Sequence, residues 1–204
     1  MAVAKKIYFP QIAAGGWEDW VRVVNINTLP ANVQAIARLN TGQMVWQTSA
    51  TLQSFQAWVV PVDPAYPKAD VSLTVVSTLP IVGERHCHSG TEVLAFPGAS
   101  SEMKTAGTRL FFPETVYGCV DKFIFLNITD YYSFVTVISR DINGFTVRRF
   151  TGQVVPLGFW LFTDVEIGNV QGTLEVFSTQ PVVGERHLHY GNGVAVGQLG
   201  QILS

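Results

Sequence analysis

Charged side chains are scarce in this sequence. Asp, Glu, Lys and Arg make up 14 % of the 204 residues, whereas ordinary soluble domains contain about 25 %. The charges nearly cancel, and the formal net charge at pH 7 is −2. A protein that binds nucleic acid needs a basic patch to neutralise phosphate groups. The sequence offers no such patch, so nucleic acid is not expected among its partners.

Long apolar runs are also missing. The mean hydropathy is positive, at +0.25, but no apolar stretch approaches the roughly 18 residues that a membrane span requires. Two lysines lie within Met1–Lys6, and the apolar segment of a secretory signal does not follow them. Export would therefore use a signal outside this sequence; otherwise the protein stays inside the cell.

Only two cysteines occur, Cys87 and Cys119. They do not occupy equivalent positions in the repeat described below, and two cysteines cannot form a disulfide framework. One bridge between the two parts of the chain and two buried free thiols both remain open. Buried free thiols are the favoured alternative.

A nine-residue segment occurs twice. Pro80–His88 has the sequence PIVGERHCH, and Pro181–His189, which lies 101 residues further on, has PVVGERHLH. Similarity at a fixed period indicates internal repeats. Other pairs keep nearly the same spacing: Tyr8-Phe9-Pro10 with Phe111-Phe112-Pro113, Asn25 with Asn127, Thr41-Gly42 with Asn143-Gly144, and Trp58 with Trp160. The sequence therefore predicts two copies of one unit.

Both copies contain short runs in which apolar and polar residues alternate, for example residues 33–39 and 135–137. A period of two predicts strands with one buried face, and helical spacing is hard to find. We therefore predict an all-β protein with two tandem antiparallel β-sandwich domains, immunoglobulin-like and related by internal duplication. The predicted boundaries are residues 1–98 for the first sandwich, 99–108 for a linker of small and polar residues, and 109–204 for the second sandwich.

The order of these segments resembles a unit found in tandem in extracellular and cell-surface proteins of bacteria and some archaea. That unit opens with an aromatic-aromatic-Pro strand, has a hydrophobic strand ending in Asn and a turn with Gly, and closes with a PVVAER-like strand. The matching segments are Tyr8-Phe9-Pro10, Val23-Val24-Asn25, Thr41-Gly42 and Pro80–Arg85 in the first copy, and Phe111-Phe112-Pro113, Phe125-Leu126-Asn127, Asn143-Gly144 and Pro181–Arg186 in the second. The resemblance implies a β-sandwich module of surface proteins with no known chemistry.

The four histidines form two His-x-His pairs, His86 with His88 and His187 with His189. On a strand, residues i and i+2 share a face, so each pair could present two imidazoles to one divalent metal ion. The first pair with Glu92 also resembles part of the metal motif of cupins, but no Glu follows His189 at the matching place. No cofactor is expected, and metal at these pairs remains an alternative.

Glu84-Arg85 and Glu185-Arg186 favour an architectural interpretation of the same segment. Adjacent residues of a strand lie on opposite faces. Each arginine would then lie on the apolar face, where its guanidinium can satisfy carbonyl groups or a carboxylate. We expect these residues to join strands, or to join one unit to the other, because buried polar groups persist when they are hydrogen-bonded.

Four of the five tryptophans fall in the first copy. Trp58 matches Trp160, so both are expected in the cores. Trp17, Trp20 and Trp46 have no counterpart and could form an interface or a platform for carbohydrate. Contact with a second copy of the chain is the favoured alternative.

Neither a nucleophile elbow nor a phosphate-binding loop can be found, so we predict that the protein is not an enzyme. Small domains have much surface for their volume, and scarce charge leaves that surface neutral. Such a surface tends to be covered by a partner. Because the linker precedes the second copy as the amino-terminal segment precedes the first, the contact between the copies could recur between chains, head to tail.

We therefore predict a structural protein at the cell surface or outside the cell, the self-assembling subunit of a filament, sheath or surface layer. The alternatives are a cupin-like metal-binding protein, a pair of carbohydrate-binding modules, and a monomer whose surface is covered by Thr, Ser and Gln.

Overall fold

The computed structural model describes residues 3–13, 17–61 and 70–203. The first half comprises β1 (Ala4–Ile12), β2 (Glu18–Asn25), β3 (Ala31–Arg38), β4 (Met44–Leu52), β5 (Ala57–Val60), β6 (Val71–Ser89) and β7 (Glu92–Pro97). The second half comprises β8 (Gly107–Thr115), β9 (Val120–Asn127), β10 (Ser133–Asp141), β11 (Thr146–Val154), β12 (Phe159–Thr163), α1 (Asp164–Ile167), β13 (Gly172–His189), β14 (Ala195–Leu199) and β15 (Gln201–Ile202). The prediction of an all-β protein is confirmed.

Each half is one curled antiparallel sheet organised around a long strand. In the first half, the beginning of β6 pairs with β1 and β3, and its end pairs with β2 and β7. In the second half, the beginning of β13 pairs with β8 and β10, and its end pairs with β9 and β14. Corresponding strands thus surround each long strand in the same order.

A proline marks the place where each long strand changes partners. The pairing of β6 with β3 ends at Ser77, and its pairing with β2 begins at Ile81. Pro80 lies between these residues and has no N–H to donate to a ladder. Pro181 lies at the corresponding place in β13. The sheet can therefore turn there and enclose its own apolar face.

In each half, a buried asparagine at the end of one strand binds the loop that follows it and the end of another strand. The Asn25 side-chain amide donates to the carbonyl oxygens of Leu29, Leu52 and Gln53, at 2.8, 3.1 and 3.1 Å. Asn127 donates in the same way to Tyr131, Val154 and Val155, at 2.6, 3.4 and 3.1 Å. Both side chains are fully buried. The matching asparagines of the sequence are thus structural hydrogen-bond donors.

Two separate apolar cores lie inside the curled sheets. The first contains mostly aliphatic residues, with Trp46 and Trp58 packed at its border. The second is rich in phenylalanine, including Phe112, Phe123 and Phe162, and Trp160 packs beside it. Trp58 and Trp160 therefore border the cores in corresponding places, and Trp46 also packs against a core.

The segment predicted as a linker, residues 99–108, is closely packed at its beginning. Tyr8 and Ala99 exchange backbone hydrogen bonds of 2.8 and 3.0 Å, and Ala99 and Ser100 are buried. β8 already begins at Gly107. The small side chains of Ala99 and Ser100 allow this segment to pack closely against β1. The beginning of the predicted linker is therefore part of the packed structure. Residues 1–2, 14–16, 62–69 and 204 of the predicted domains lie outside the described residues.

We expect Asn25→Ala and Asn127→Ala each to lower the free energy of unfolding by about 3 kcal/mol, because each change leaves buried carbonyl groups without donors. Urea denaturation measures the effect. Asn32→Ala is the matched control, because Asn32 is exposed and pairs only at the surface with Thr51; it should cost less than about 0.5 kcal/mol. Equal costs for all three changes would contradict this account.

Candidate functional site: the contact between the two halves

Each half contains a buried arginine held by an aspartate of the neighbouring strand. Arg85 places Nε 2.9 Å from Oδ1 of Asp19 and Nη2 2.6 Å from Oδ2. Arg186 places Nε 2.6 Å from Oδ1 of Asp121 and Nη2 2.8 Å from Oδ2. The planar guanidinium suits this two-pronged pairing. Burial raises the pKa of Asp121, although its hydrogen bonds with Arg186 act in the opposite direction.

Arg85 also joins the two halves. Its Nη1 lies 2.6 Å from Oε1 of Glu185, and both side chains are completely buried. Burial alone would lower the pKa of Arg85, but the carboxylates of Glu185 and Asp19 outweigh it and raise the pKa. One guanidinium thus satisfies a carboxylate from each half. A buried charge is tolerated only when it is paired in this way.

His187 shares the carboxylate of Glu185. Its Nε2 lies 2.5 Å from Glu185 Oε1, and Phe96 of the first half stacks on its ring at 4.8 Å. Burial lowers the pKa of His187, and the attraction of Glu185 does not compensate. Because a carboxylate oxygen can only accept, Nε2 of His187 is assigned as the donor of this hydrogen bond. Oε2 of Glu185 is buried and has no hydrogen-bond partner among the described residues.

A second polar contact joins the halves beside the first. His189 Nδ1 lies 2.9 Å from Oε2 of Glu92, and Trp17 meets the His189 ring edge-on at 5.5 Å. Gly197 lies against the ring of Phe96, where a Cβ atom would approach to 2.5 Å. Only glycine fits at this position of β14, which explains the close approach of β7 and β14.

Apolar packing extends the contact. Tyr8 and Ala99 of the first half form one cluster with Ile124, Leu126 and other residues of the second. The β3–β4 hairpin also touches the second half, because Phe159 N donates to Asn40 O at 3.3 Å. A small polar cavity of about 190 Å³ remains between the halves; Gln11, Trp17, Asp70, Cys87, Lys122, His187 and His189 are among its lining residues.

The candidate metal ligands do not come together as one set. His86 and His88 lie on the outer face of β6, where both stack on Trp20, at 5.5 and 4.6 Å. Glu92 pairs with Ser89 in the β6–β7 hairpin, so it lies on the other face. Within residues 3–13, 17–61 and 70–203, no group of three or more His, Cys, Asp or Glu side chains could hold a metal ion.

The three unmatched tryptophans make three different sets of contacts. Trp17 lies at the contact between the halves, Trp20 stacks on His86 and His88, and Trp46 packs against the first core. They do not form one aromatic platform, because each is used in a different place.

The outer face of β9, β12 and β13 is buried against the first half. Seven side chains form this docked face: Ile124, Leu126, Ile128, Phe159, Leu161, Val183 and Glu185. The strand registers are the same in both halves: Arg22 faces Glu84 as Ile124 faces Glu185, and Val24 faces Ala57 as Leu126 faces Phe159. Each residue of the docked face therefore has a definite counterpart.

The counterparts in the first half are exposed or, for Val24 and Val82, partly exposed. They form a surface that we call the free face: Arg22, Val24, Ile26, Ala57, Val59, Val82 and Glu84. Ile26 is 36 % exposed, whereas Ile128 is 9 % exposed. The side chain of Glu84 is 54 % exposed and lies 3.2 Å from His86, whereas that of Glu185 is fully buried. Most of the free face is apolar.

Sequence analysis predicted that Glu84, Arg85, Glu185 and Arg186 join strands or units. Glu84 is instead exposed and lies beside His86 of its own strand. The analysis missed Asp19 and Asp121, which pair with the two arginines. The two aspartates lie 102 residues apart, as Asn25 and Asn127 do. This repeat spacing could have identified the two aspartates as corresponding residues with the same structural role.

Comparison with known proteins adds little. No protein-family model matches the chain, and no curated protein matches it. One similar solved structure is described as a putative beta-galactosidase from Bacteroides fragilis, with 8 % identity and a TM-score of 0.19; the match covers 94 % of this chain and 32 % of that chain. The chain thus spans about a third of that protein, and a likeness of this size supports no conclusion. The described residues contain no helix long and apolar enough to cross a membrane.

We expect the free energy of unfolding to decrease as the pH falls from 7.5 to 5.5. The pKa of His187 is lower in the folded state than in the unfolded chain, where it is about 6.5. The unfolded chain therefore binds a proton first, and the stabilisation present above that pH is lost below it. His187→Gln should flatten the profile, whereas Asn32→Ala, a change at an exposed residue that does not titrate, should leave it unchanged. A profile that rises on acidification would contradict this assignment.

The two cysteines should differ in reactivity. Cys87 is buried beside the contact, and burial raises its pKa to about 12. Cys119 is partly exposed. Titration with Ellman's reagent should therefore detect one thiol in the native protein and two in guanidinium chloride. The Cys119→Ser variant should show none until it unfolds. Rapid reaction of Cys87 in that native variant would disprove the assignment.

Proposed function

We propose that this protein is a non-enzymatic structural subunit that assembles with copies of itself, head to tail, into an extracellular filament, sheath or surface layer. The observation that supports this most strongly is the free face. The same surface of the fold is occupied in the second half and open in the first. Exposed apolar patches of this kind are typical of contact surfaces.

The proposal includes a finer description of the fold. We infer that each half is an antiparallel, immunoglobulin-like β-sandwich and that the halves arose by internal duplication. Three correspondences support this: the common strand order around β6 and β13, the matching hydrogen bonds of Asn25 and Asn127, and the matching pairs Arg85–Asp19 and Arg186–Asp121.

Low charge gives the proposal a physical reason. The chain has 13 basic and 15 acidic residues in 204. Five of these, Arg85, Arg186, Asp19, Asp121 and Glu185, form buried ion pairs and contribute little charge to the surface. Little charge is left to keep copies apart by repulsion. Covering the free face with another copy removes apolar surface from water, at about 25 cal/mol per Å².

We expect Val59→Glu to abolish assembly or to weaken it at least about tenfold. Val59 is 49 % exposed on the free face, so a carboxylate is tolerated in the monomer but not in a dry contact. Val147→Glu is the matched control, because Val147 is 42 % exposed on β11, away from that face. Light scattering and negative-stain imaging over a wide concentration range measure assembly.

A wild-type protein that stays monomeric at every concentration would refute the proposed function. Equal loss of assembly in the two variants would show that the free face has no special part in it.

A further inference from the structure

We propose that the free face of one copy binds the end of the second half of another copy, the surface around Arg186, Val196 and Gln198. Glu84 of the first copy then pairs with Arg186 of the other copy. This inference rests on the proposed function, and it specifies which surfaces meet. Its source is the contact inside the chain, where the docked face already receives the first half.

Arg85 and Arg186 differ in how their third donor group is satisfied. Nη1 of Arg85 lies 2.6 Å from Glu185 of the other half. Nη1 of Arg186 has a carboxylate only at 3.8 Å, that of Glu114, whose side chain is 59 % exposed. Nη1 of Arg186 therefore has only a weak partner in Glu114, and a carboxylate that approaches more closely can replace it.

Glu84 is that carboxylate. It occupies in β6 the position that Glu185 occupies in β13, and its side chain is 54 % exposed. Within one chain, Glu185 contacts Arg85 because the two halves pack together. If a second copy packs on the free face in the same way, Glu84 of the first copy contacts Arg186 of the second. The Arg186 side chain is already only 2 % exposed, so docking would remove mainly the Glu84 carboxylate from water, and burial strengthens a charge-assisted hydrogen bond.

The end of the second half that would dock on the free face is largely exposed. In the first half, Leu94 and Phe96 are 1 % exposed because the second half covers them. Their counterparts are Val196, which is 46 % exposed, and Gln198, which is partly exposed. Val194, just before β14, is 50 % exposed. This end of the second half is thus an uncovered version of the surface that the first half uses.

The two surfaces are unlike each other and lie on different halves. A contact between them joins copies in one direction and leaves one unused surface at each end. Such a heterologous contact makes an open chain unless its rotation happens to close a ring. An isologous contact would instead bring two free faces together and stop at a dimer.

Cysteine crosslinking tests the pairing directly. Within the chain, Gly197 touches Phe96; their counterparts Ala95 and Gln198 should therefore touch between copies. In a Cys119→Ser background, the double variant Ala95→Cys/Gln198→Cys should give, under mild oxidation, a ladder of covalent multimers on a non-reducing gel. Ala95→Cys/Val147→Cys is the matched control and should give no ladder. Circular dichroism confirms that each variant is folded.

The outcomes separate this inference from the proposed function. A ladder from the Ala95→Cys/Gln198→Cys pair alone supports the inference. Assembly by light scattering without that ladder overturns the inference and leaves the proposed function standing. A dimer from Ala95→Cys alone shows an isologous contact and overturns the inference as well. Absence of assembly in the wild-type protein overturns the proposed function.

Glu84→Gln provides a second measurement. Because Glu84 is exposed in the monomer, this change should not alter folding, but it should weaken assembly at least about tenfold by removing the charge that faces Arg186. Glu114→Gln should leave assembly unchanged or strengthen it, since Glu114 gives way on docking. The opposite order of effects would contradict the pairing.

Discussion

The guanidinium of Arg85 is the group on which the arrangement of the two halves depends. It lies in a completely buried site between Asp19 of its own half and Glu185 of the other, at 2.6 Å from each. Removing one member of a buried ion pair costs about 3–5 kcal/mol, because the remaining charge has no water to solvate it. Arg85 therefore binds Asp19 within its own sheet and also holds the two halves together, since separating the halves would leave Glu185 without its cation. His187 and Phe96 complete the enclosure of that carboxylate.

Corresponding surfaces of the two halves differ in burial. The docked face of the second half is buried because the first half covers it, whereas the corresponding residues of the first half are exposed or partly exposed. Corresponding residues show the difference most clearly: Glu185 is buried with two partners, and Glu84 is exposed beside His86. One occupied and one exposed version of the same surface is the observation from which the proposed head-to-tail assembly is argued.

Much of the fold could be predicted from the sequence, because strands with one buried face alternate with a period of two. The PIVGERHCH and PVVGERHLH segments predicted strands with an arginine on the apolar face, but not the length or the central position of β6 and β13. Three features could not be predicted. Asp19 lies 66 residues from Arg85, and a lone carboxylate in a sequence does not reveal its partner. Glu84 and Glu185 have nearly identical neighbours, so their different burial depends on packing between the halves alone. Ala99 and Ser100 were assigned to a linker because they are small, although small size also suits close packing.

Equilibrium unfolding in urea tests most directly whether the buried ion pair makes the two halves one unit. Tryptophan fluorescence mainly reports the first half, which holds four of the five tryptophans, and circular dichroism reports both halves. The account predicts that the two signals follow one coincident transition in the native protein and separate into two transitions in Glu185→Ala. Two separate transitions in the unaltered protein, or a single coincident transition in Glu185→Ala at the original midpoint, would contradict it.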